Sequence, residues 1–304
     1  MAVTAGAPRV SILIPAYHDR FFAEAFESAR AQSASSLEIV VSDDSPGGAI
    51  RACVEAARDP RVRYVRNDPA RGFEANFTLL LREARGPLVK FLNDDDRLRP
   101  DCVARLAEAL DDPAVRLATS RRAVIDGSGA PRADTPATVA IMTATGTVEG
   151  RELGDLALVN GLNFIGEPTT VMFRRADVVP EEGGLFTWGG KRYRCLADLA
   201  LWLRLLARGR AFYSATPLSE YRVHPGQEQR AADMGVSCIT ERLDLALAAR
   251  GAGFLATPLQ LRAALSRIDA LASFWRKRPG LPAGEAEELA ALSREIARLS
   301  GEGP

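Results

Sequence analysis

The stretch Leu88-Val-Lys-Phe-Leu-Asn-Asp-Asp-Asp96 runs from a short apolar segment directly into three adjacent carboxylates. Three further apolar runs precede it, at Val10–Ile14, Leu37–Val41 and Val62–Val65. Segments with helical periodicity alternate with these runs, at about Phe21–Ala31, Ala49–Arg58, Glu74–Ala84 and Pro100–Leu110. Short apolar runs rich in Val and Ile are typical of strands that are covered on both faces. The alternation predicts an α/β fold with a mainly parallel sheet flanked by helices.

Polar and acidic residues follow all four predicted strands. They are Pro15–Tyr17, Asp43-Asp44, Asn67-Asp68 and Asn93–Asp96. Ligands of open α/β sheets bind at the carboxyl ends of the strands, so this edge is the candidate site. Adjacent carboxylates repel one another, and Mg²⁺ or Mn²⁺ shared with a substrate phosphate would relieve that repulsion. A solvated turn leading into the next helix is the alternative interpretation of the acidic run.

The composition is that of an ordinary globular protein, with 304 residues, 39 basic and 39 acidic side chains and 47% apolar residues. Zero net charge argues against bulk electrostatic capture of nucleic acid, which requires a basic face. The four cysteines are far apart, which argues against a zinc site or a disulfide and favours a reducing compartment. Neither a signal-peptide layout nor an apolar run of membrane-spanning length is evident. We therefore expect a cytoplasmic protein.

A series of short motifs gives the chain a family resemblance. They are Val10–Tyr17, Val41–Ser45, Asn67 with Gly72 and Asn76, Phe91–Asp96, Gly166–Val171, Asp198–Arg204 and Tyr221–His224. In this order, from about residue 9 to residue 226, they resemble the family 2 glycosyltransferases of GT-A fold. The resemblance implies an inverting transfer of a sugar from a nucleotide-diphosphate donor, with Mn²⁺ or Mg²⁺ as cofactor. The acceptor would be a hydroxyl group of a growing polysaccharide, a glycolipid or a natural product.

The resemblance assigns the nucleotide and metal contacts to the strand ends, position by position. Pro15 and Tyr17 would line the base pocket, where Tyr17 stacks on the ring or, alternatively, only packs on a helix. Asp43 would accept a hydrogen bond from the base. This contact favours UDP or dTDP, and guanine fits it as well. Asp94 would contact the ribose or the metal, and Asp95 would be the principal metal ligand.

Asp198 is the candidate general base. Inversion needs a carboxylate on the far side of the sugar, which takes the proton of the acceptor hydroxyl. A helix N-cap is the alternative role of this residue. The family usually has Glu-Asp here, whereas Ala197 precedes Asp198 in this chain and removes a neighbour that often helps to bind the acceptor. Arg222 and His224 would face the diphosphate, with His224 as a further metal ligand.

The remaining contacts to the diphosphate and the acceptor are also implied by the resemblance. Many relatives have Arg before Asn76, but this chain has Ala75, so the diphosphate contacts would shift to Arg71. Further candidate contacts are Glu167, Trp188 and Trp202. The loop Phe186–Arg194 combines aromatic, glycine and basic residues, and we predict a lid that orders over the bound donor. Asp44 and Asp96 are expected to cap a turn and a helix.

The resemblance divides the chain into a nucleotide-sugar-binding half (residues 1–126), an acceptor-binding and catalytic half (127–230) and a helical extension (231–304). A sugar-1-phosphate nucleotidyltransferase of related fold is an alternative. That family opens with a glycine-rich loop and a lysine, where this chain has Ala16–Asp19. A non-catalytic nucleotide-sugar-binding protein is the other alternative, and intact Asp43, Asp95 and Asp198 argue against it.

The C-terminal segment is predicted to be helical, with a helix start at Thr257-Pro258 and a charged amphipathic helix at Glu285–Leu299. The cluster Phe274–Arg278 has two interpretations. It would rest on the inner face of a membrane near a lipid-linked acceptor. Alternatively, it is a helix end with snorkelling cations, or part of a homodimer contact.

Overall fold

A computed structural model describes residues 7–227 and 235–301 of the chain. Twelve strands are found in these ranges. They are β1 (Val10–Ala16), β2 (Leu37–Asp43), β3 (Val62–Arg66), β4 (Leu88–Phe91), β5 (Arg97–Leu98), β6 (Val115–Ile125), β7 (Pro131–Arg132), β8 (Gly146–Glu149), β9 (Met172–Arg174), β10 (Thr187–Trp188), β11 (Lys191–Arg192) and β12 (Arg210–Arg222). The four strands predicted in the first hundred residues are confirmed within two residues at each end.

Nine α-helices with complete bounds accompany the strands in the same described ranges. They are α1 (Phe22–Arg30), α2 (Ala49–Ala57), α3 (Phe73–Glu83), α4 (Cys102–Ala109), α5 (Gly150–Asn160), α6 (Ala197–Leu206), α7 (Gly235–Gly251), α8 (Pro258–Arg276) and α9 (Ala283–Ser300). A short 3-10 helix spans Arg175–Asp177. The predicted helical C-terminal segment is confirmed, and α8 begins with a capping box in which Thr257 and Gln260 bond reciprocally.

A ten-stranded sheet with the order β3-β2-β1-β4-β9-β6-β12-β5 forms the centre of the fold, and β7 and β8 add to β6 and β12. The pairs β1–β2, β2–β3 and β1–β4 are parallel, as predicted for the alternating first part, and β6–β12 is parallel as well. Strand β9 lies antiparallel between β4 and β6 and joins the two halves of the sheet. The carboxyl ends of β1, β2 and β4 therefore meet at one edge, beside the end of β12.

Two apolar layers cover the two faces of the sheet, because successive strand residues point to opposite sides. Ile12 and Ile39 face the layer that includes α1, α2 and α4. Leu13 and Val40 face the layer that includes α3, α5 and α6. Helices α7, α8 and α9 extend this second layer, so they share a continuous core with the sheet. None of the described helices is long and apolar enough to cross a membrane.

The expectation that the cysteines form no disulfide is wrong. Cys195 and Cys238, 43 residues apart, are joined by a disulfide with their Cα atoms 5.4 Å apart. Sequence spacing gave no signal because α7 returns from far along the chain onto the segment that precedes α6. The Glu241 carboxylate fixes this return, since it accepts hydrogen bonds from the backbone N–H groups of Arg194, Cys195 and Leu196 at 2.9, 2.9 and 3.1 Å.

Candidate active site

The loop after β1 is tied to the acidic end of β4 by Asp94. Its Oδ2 accepts hydrogen bonds from the backbone N–H groups of Tyr17 and His18, both at 2.7 Å. Burial, with the neighbouring charge of Asp95, raises the pKa of Asp94 to about 6 despite these two donors. Tyr17 itself is 48% exposed at the open edge of the sheet, where a planar base can stack on its ring. Pro15 lies two residues before Tyr17, near the end of β1.

Asp43 lies at the end of β2 and is completely buried. The carboxylate accepts hydrogen bonds from the Ser45 N–H at 2.8 Å and the Tyr64 hydroxyl at 2.6 Å, and it pairs with Arg66 at 2.9 Å. Burial pushes the pKa of Asp43 upward, but these donors outweigh it and hold the pKa below its usual value. Asp43 is therefore ionised and rigidly held.

Asp44 fixes a different part of the same edge. Its carboxylate accepts from the Asn67 side chain at 2.7 Å and from the backbone N–H groups of Arg71 and Gly72 at 3.1 and 2.7 Å. It thus holds the turn before α3, not the turn that directly follows Asp44. The exposed Arg71 side chain starts from this turn, and its Nε donates to Asn67 Oδ1 at 3.0 Å.

Asp95 and His224 meet at the candidate metal position. Asp95 Oδ2 and His224 Nε2 are 3.3 Å apart, and the two side chains are only 18% and 12% exposed. The ring of Phe21 packs beside the imidazole, with 5.0 Å between the ring centroids. Within residues 7–227 and 235–301, no group of three or more His, Cys, Asp or Glu side chains could hold a metal ion. A carboxylate and an imidazole nevertheless fit Mn²⁺ or Mg²⁺, because these ions commonly complete their shell with substrate phosphates and water.

The prediction that Arg222 faces the diphosphate is wrong. The side chain is fully buried, and its guanidinium donates to the backbone oxygens of Asp95 at 2.7 Å and Asp126 at 3.3 Å. It also pairs with Glu24 at 2.7 Å and lies over the ring of Phe21. The guanidinium donors of Arg222 are directed at partners inside the protein, because β12 passes behind the acidic run. Arg222 therefore holds the backbone of Asp95 in place from the interior of the protein.

Asp96 is also a structural member of the run, although it does not cap a helix as expected. Its carboxylate accepts from the Thr169 hydroxyl at 2.6 Å and from the Arg222 N–H at 2.9 Å. Burial, with the charge of Asp95, raises the pKa of Asp96 well above its usual value. Asp101 rather than Asp96 precedes α4. Asp96 thus connects β4 to β12 and to the loop before β9.

Asp198 lies in the first turn of α6, across the loop before β9 from the acidic run. Its Oδ2 accepts a hydrogen bond from the Asn163 side chain at 2.9 Å, and its Oδ1 accepts from the Leu199 N–H at 2.7 Å. Burial, with a smaller contribution from the charge of Glu167, raises the pKa of Asp198 to about 7. The helix begins after Leu196, so the alternative role of Asp198 as the N-cap residue does not hold.

Glu167 lies between the two acidic centres. Its carboxylate is 22% exposed, pairs with Arg122 at 2.7 Å and is close enough to raise the pKa values of both Asp198 and Asp96. Among the sequence-predicted contacts to the diphosphate or acceptor, Glu167 is therefore adjacent to the candidate base. Asn163, which orients Asp198, was missed by the sequence analysis because a lone Asn in a loop carries no motif.

The prediction that Trp202 contacts the diphosphate or acceptor is wrong, whereas the contact of Trp188 stays a prediction. Trp202 is fully buried, and its Nε1 donates to the Gly166 carbonyl at 2.9 Å, so it supports the loop from inside the core. Trp188 lines a different depression with Arg204 and Arg208. Arg204 lies in the last turn of α6, about 9 Å along the helix axis from Asp198.

The predicted lid Phe186–Arg194 forms a two-stranded hairpin of β10 and β11. Phe186 and Tyr193 are buried in the core at its base. Lys191 and Arg192 form ion pairs with Asp244 and Glu74. The turn at Gly189-Gly190 is exposed. Any closure of this loop therefore has to come from its tip, and the lid stays a prediction.

The fold and the strand-end site define a GT-A glycosyltransferase. The model of the family described as glycosyl transferase family 2 matches residues 11–177, just over half of the chain. The chain belongs to this family and is a glycosyltransferase that acts on a nucleotide-sugar donor. The family match favours this activity over the two alternatives, a nucleotidyltransferase and a non-catalytic binding protein.

Curated relatives match parts of the chain. It is 34% identical to the succinoglycan biosynthesis protein ExoO of Rhizobium meliloti over 123 residues, which covers 40% of this chain and 35% of the relative. It is 30% identical to the GalNAc(5)-diNAcBac-PP-undecaprenol beta-1,3-glucosyltransferase of Campylobacter jejuni over 105 residues, which covers 33% and 34%. The chain thus spans about a third of the length of these two relatives.

Solved structures share the fold over nearly the whole chain. Residues 1–349 of TarS from S. aureus, in complex with UDP-GlcNAc, superpose with a TM-score of 0.70 at 14% identity, over 97% of this chain and 84% of that one. The mannosyltransferase PcManGT of Pyrobaculum calidifontis, in complex with GDP-Man and Mn²⁺, gives a TM-score of 0.55 at 18% identity, over 98% and 84%. At these identities the likeness establishes the fold.

Proposed function

We propose that this chain is an inverting, divalent-metal-dependent glycosyltransferase with Asp198 as its general base. It moves a sugar from a UDP- or dTDP-linked donor to a hydroxyl group of a growing polysaccharide, a glycolipid or a natural product. The observation that carries the proposal is the state of Asp198, a partly buried carboxylate oriented by Asn163 and with its pKa raised to about 7. A base with this pKa accepts a proton near neutral pH, where about half of the molecules carry it in the ionised form.

The proposed reaction balances with the groups at hand. The Asp198 carboxylate takes the proton of the acceptor hydroxyl as the acceptor oxygen bonds to the anomeric carbon. The bond from that carbon to the diphosphate oxygen breaks, and the oxygen leaves with the electron pair. A divalent ion held by Asp95 and His224 would neutralise charge on the diphosphate. We assign a second contact with the diphosphate to the side chain of Arg71, which lies on the turn before α3.

Replacement of Asp198 by Asn tests the assignment of the base. General base catalysis contributes typically 10²- to 10⁴-fold, so kcat of the Asp198→Asn variant should fall by about that factor while nucleotide binding is retained. Asp155→Asn is the matched control, since Asp155 is also a partly buried carboxyl with a raised pKa but bonds to Leu255 and Gln260 away from the site. Wild-type turnover in the Asp198→Asn variant would exclude the proposed role.

The pH profile gives a second test of the same base. Asp198 works only when deprotonated, so kcat/KM should rise with pH and reach a plateau above about 7. The residual rate of the Asp198→Asn variant should lack this rise. A wild-type profile that stays flat from pH 5.5 to 8.5 would contradict the assignment.

The donor and the metal are tested together by thermal shift with UDP, dTDP, GDP, ADP and CMP, each with Mn²⁺ or a chelator. A nucleotide at a hundred times its dissociation constant stabilises the folded state by about 2.7 kcal/mol. The proposal assigns the base contact to Asp43 and Tyr17 and the metal to Asp95, His224 and the second oxygen of Asp94. Stabilisation by UDP or dTDP that requires Mn²⁺ supports it, and no response to any nucleotide would refute the donor site.

The acceptor and the place of action are inferred from the relatives and from the C-terminal helices. One relative carries succinoglycan biosynthesis in its name and another an undecaprenol diphosphate acceptor, which favours a polysaccharide or lipid-linked acceptor. We place the enzyme at the inner face of a membrane, with peripheral contact through Phe274–Arg278 or a homodimer through the same helices. Sedimentation with anionic vesicles and light scattering separate these two arrangements.

A further inference from the structure

An apolar cavity of about 400 Å³ lies between α5, the start of α6, α7 and α8. Its walls are mostly aliphatic, with Leu158, Leu196, Leu199, Leu245, Ile268 and Leu271 among the lining residues. The volume is within the range of sites that bind small molecules. The cavity is separate from the strand-end edge where the nucleotide is proposed to bind, because its walls come from the helical layer.

Two arginines, Arg242 and Arg267, line the same cavity and have no carboxylate partner among the described residues. They meet at Gly161, where a methyl group would lie 3.4 Å from Arg267 Cγ and 3.5 Å from Arg242 Nη1. Arg242 Nη1 donates to the Gly161 carbonyl at 2.8 Å, while its Nε is buried without an acceptor. The two acidic residues of α7 are engaged elsewhere: Glu241 accepts from the backbone before α6, and Asp244 is paired with Lys191.

This pair of cations is electrostatically unfavourable as it stands. Burial, with the charge of Arg267, lowers the pKa of Arg242. The C-terminal carbonyl of α5 satisfies one donor of Arg242, which is an ordinary role for Arg at a helix end. It does not account for Arg267, whose exposed side chain extends beside the same residue. An anionic group between the two guanidiniums would remove the repulsion and use the remaining donors, since the guanidinium is well suited to phosphate.

The cavity is lined by sequence neighbours of the proposed base and of the residue that orients it. Leu196 and Leu199 flank Asp198 in sequence, and Leu162 adjoins Asn163, which orients the base. The opposite side of the cavity includes Phe274, which is 66% exposed. The following residues Trp275–Arg278 are the aromatic and basic cluster at the end of α8, where Arg278 lies over the Trp275 ring. An apolar chain can therefore enter beside Phe274 and end near the catalytic edge.

We propose that this cavity binds the lipid part of the acceptor, a prenyl or alkyl phosphate. Its apolar chain lies among the leucines, and its phosphate lies between Arg242 and Arg267. The inference rests on the proposed function and specifies the acceptor as lipid-linked, with its sugar directed at Asp198. The charge of the arginines selects a lipid phosphate over a neutral alcohol.

Calorimetric titration of the full chain with decyl phosphate, decanol and inorganic phosphate tests this site. Decyl phosphate should bind at least tenfold more tightly than either fragment, with a negative heat-capacity change from apolar burial. Arg267→Gln should weaken decyl phosphate at least tenfold and leave decanol unchanged. Arg262→Gln is the matched control, because Arg262 is an exposed arginine of the same helix outside the cavity.

A second pair of variants tests the apolar part without disturbing the core. Ala270 lines the cavity but is exposed, so Ala270→Trp should obstruct it and weaken both decyl phosphate and decanol at least tenfold. Ala291→Trp on α9, also exposed and outside the cavity, should have no effect. Thermal unfolding of each variant checks that it is folded.

The proposal is overturned if decanol or inorganic phosphate binds as tightly as decyl phosphate. It is also overturned if Arg262→Gln weakens decyl phosphate as much as Arg267→Gln does. The Mn²⁺-dependent response to UDP or dTDP is measured in the same samples. If that response is present and decyl phosphate does not bind, only the lipid site is refuted. If decyl phosphate binds and no nucleotide does, the donor assignment fails instead.

Discussion

Asp198→Asn should change the pH dependence of stability as well as the rate. A carboxyl whose pKa is raised in the folded chain stabilises that chain while protonated, and this stability is lost as pH rises from the unfolded value of 3.8 towards about 7. Asn does not titrate, so stability of the variant relative to wild type should increase with pH. All other titratable groups contribute equally to the pH dependence of stability in the wild type and the variant. The difference between the two chains therefore reports the contribution of Asp198 alone.

The size of the effect follows from the shift of the pKa. Ionising Asp198 at pH 8 costs about 4 kcal/mol in the folded chain relative to the unfolded chain, at about 1.4 kcal/mol for each tenfold change in proton affinity. More than half of this cost develops between pH 5 and pH 8. The carboxyl is partly exposed and screened by water, which reduces the measurable difference to on the order of 1 kcal/mol.

Urea unfolding of both chains at pH 5 and pH 8 measures this difference. The Asn163 amide is fixed by Gly166, so an amide at position 198 loses one hydrogen bond, and that loss is the same at both pH values. The informative quantity is therefore the change, from pH 5 to pH 8, in the difference between the free energies of unfolding of wild type and variant. A difference that stays constant, or that shifts in favour of wild type at pH 8, would refute the reasoning that Asp198 is a desolvated base.

Three further substitutions probe the support of the site. Asp95→Asn should remove the Mn²⁺-dependent part of UDP or dTDP stabilisation, because the principal proposed metal ligand is weakened; an unchanged metal-dependent thermal shift would place the metal elsewhere. Arg222→Met should lower the free energy of unfolding by about 1–3 kcal/mol, since the Asp95 and Asp126 carbonyls lose their buried donor, whereas the exposed Glu24 keeps its pair with Arg97; urea denaturation checks this. Gly154→Ala should cost about 1–3 kcal/mol in the same assay, because the added methyl group would lie 2.8 Å from Leu203 Cδ2.

The first hundred residues could be predicted well because their pattern is local. Each strand is a short apolar run, each helix has its own periodicity, and the acidic residues follow the strands directly. Strand β6 was missed for the opposite reason. Its arginines interrupt the alternation, and Arg122 is buried only because Glu167 and the carbonyls of the loop around Phe164 meet it from another part of the chain.

Side-chain roles were harder to predict than positions. Arg222 and Trp202 lie in motifs at the expected places, yet both point inward, because the register of β12 and α6 decides which face a residue presents. The disulfide and the contact of Glu241 depend on how α7 packs, which no local pattern reports. Motifs located the site, and packing determined which of their members reach it.

The three hydrogen bonds that Glu241 accepts ahead of α6 have a consequence for how this enzyme can be divided or recombined. The part of the chain matched by the family model ends at residue 177, before Asp198, and the segment that leads into Asp198 is held by a carboxylate from the C-terminal helices. A chimera that exchanges the C-terminal helices therefore also replaces the carboxylate that holds the segment before the proposed base. Grafts that aim to change the acceptor should carry residues 194–301 as one unit.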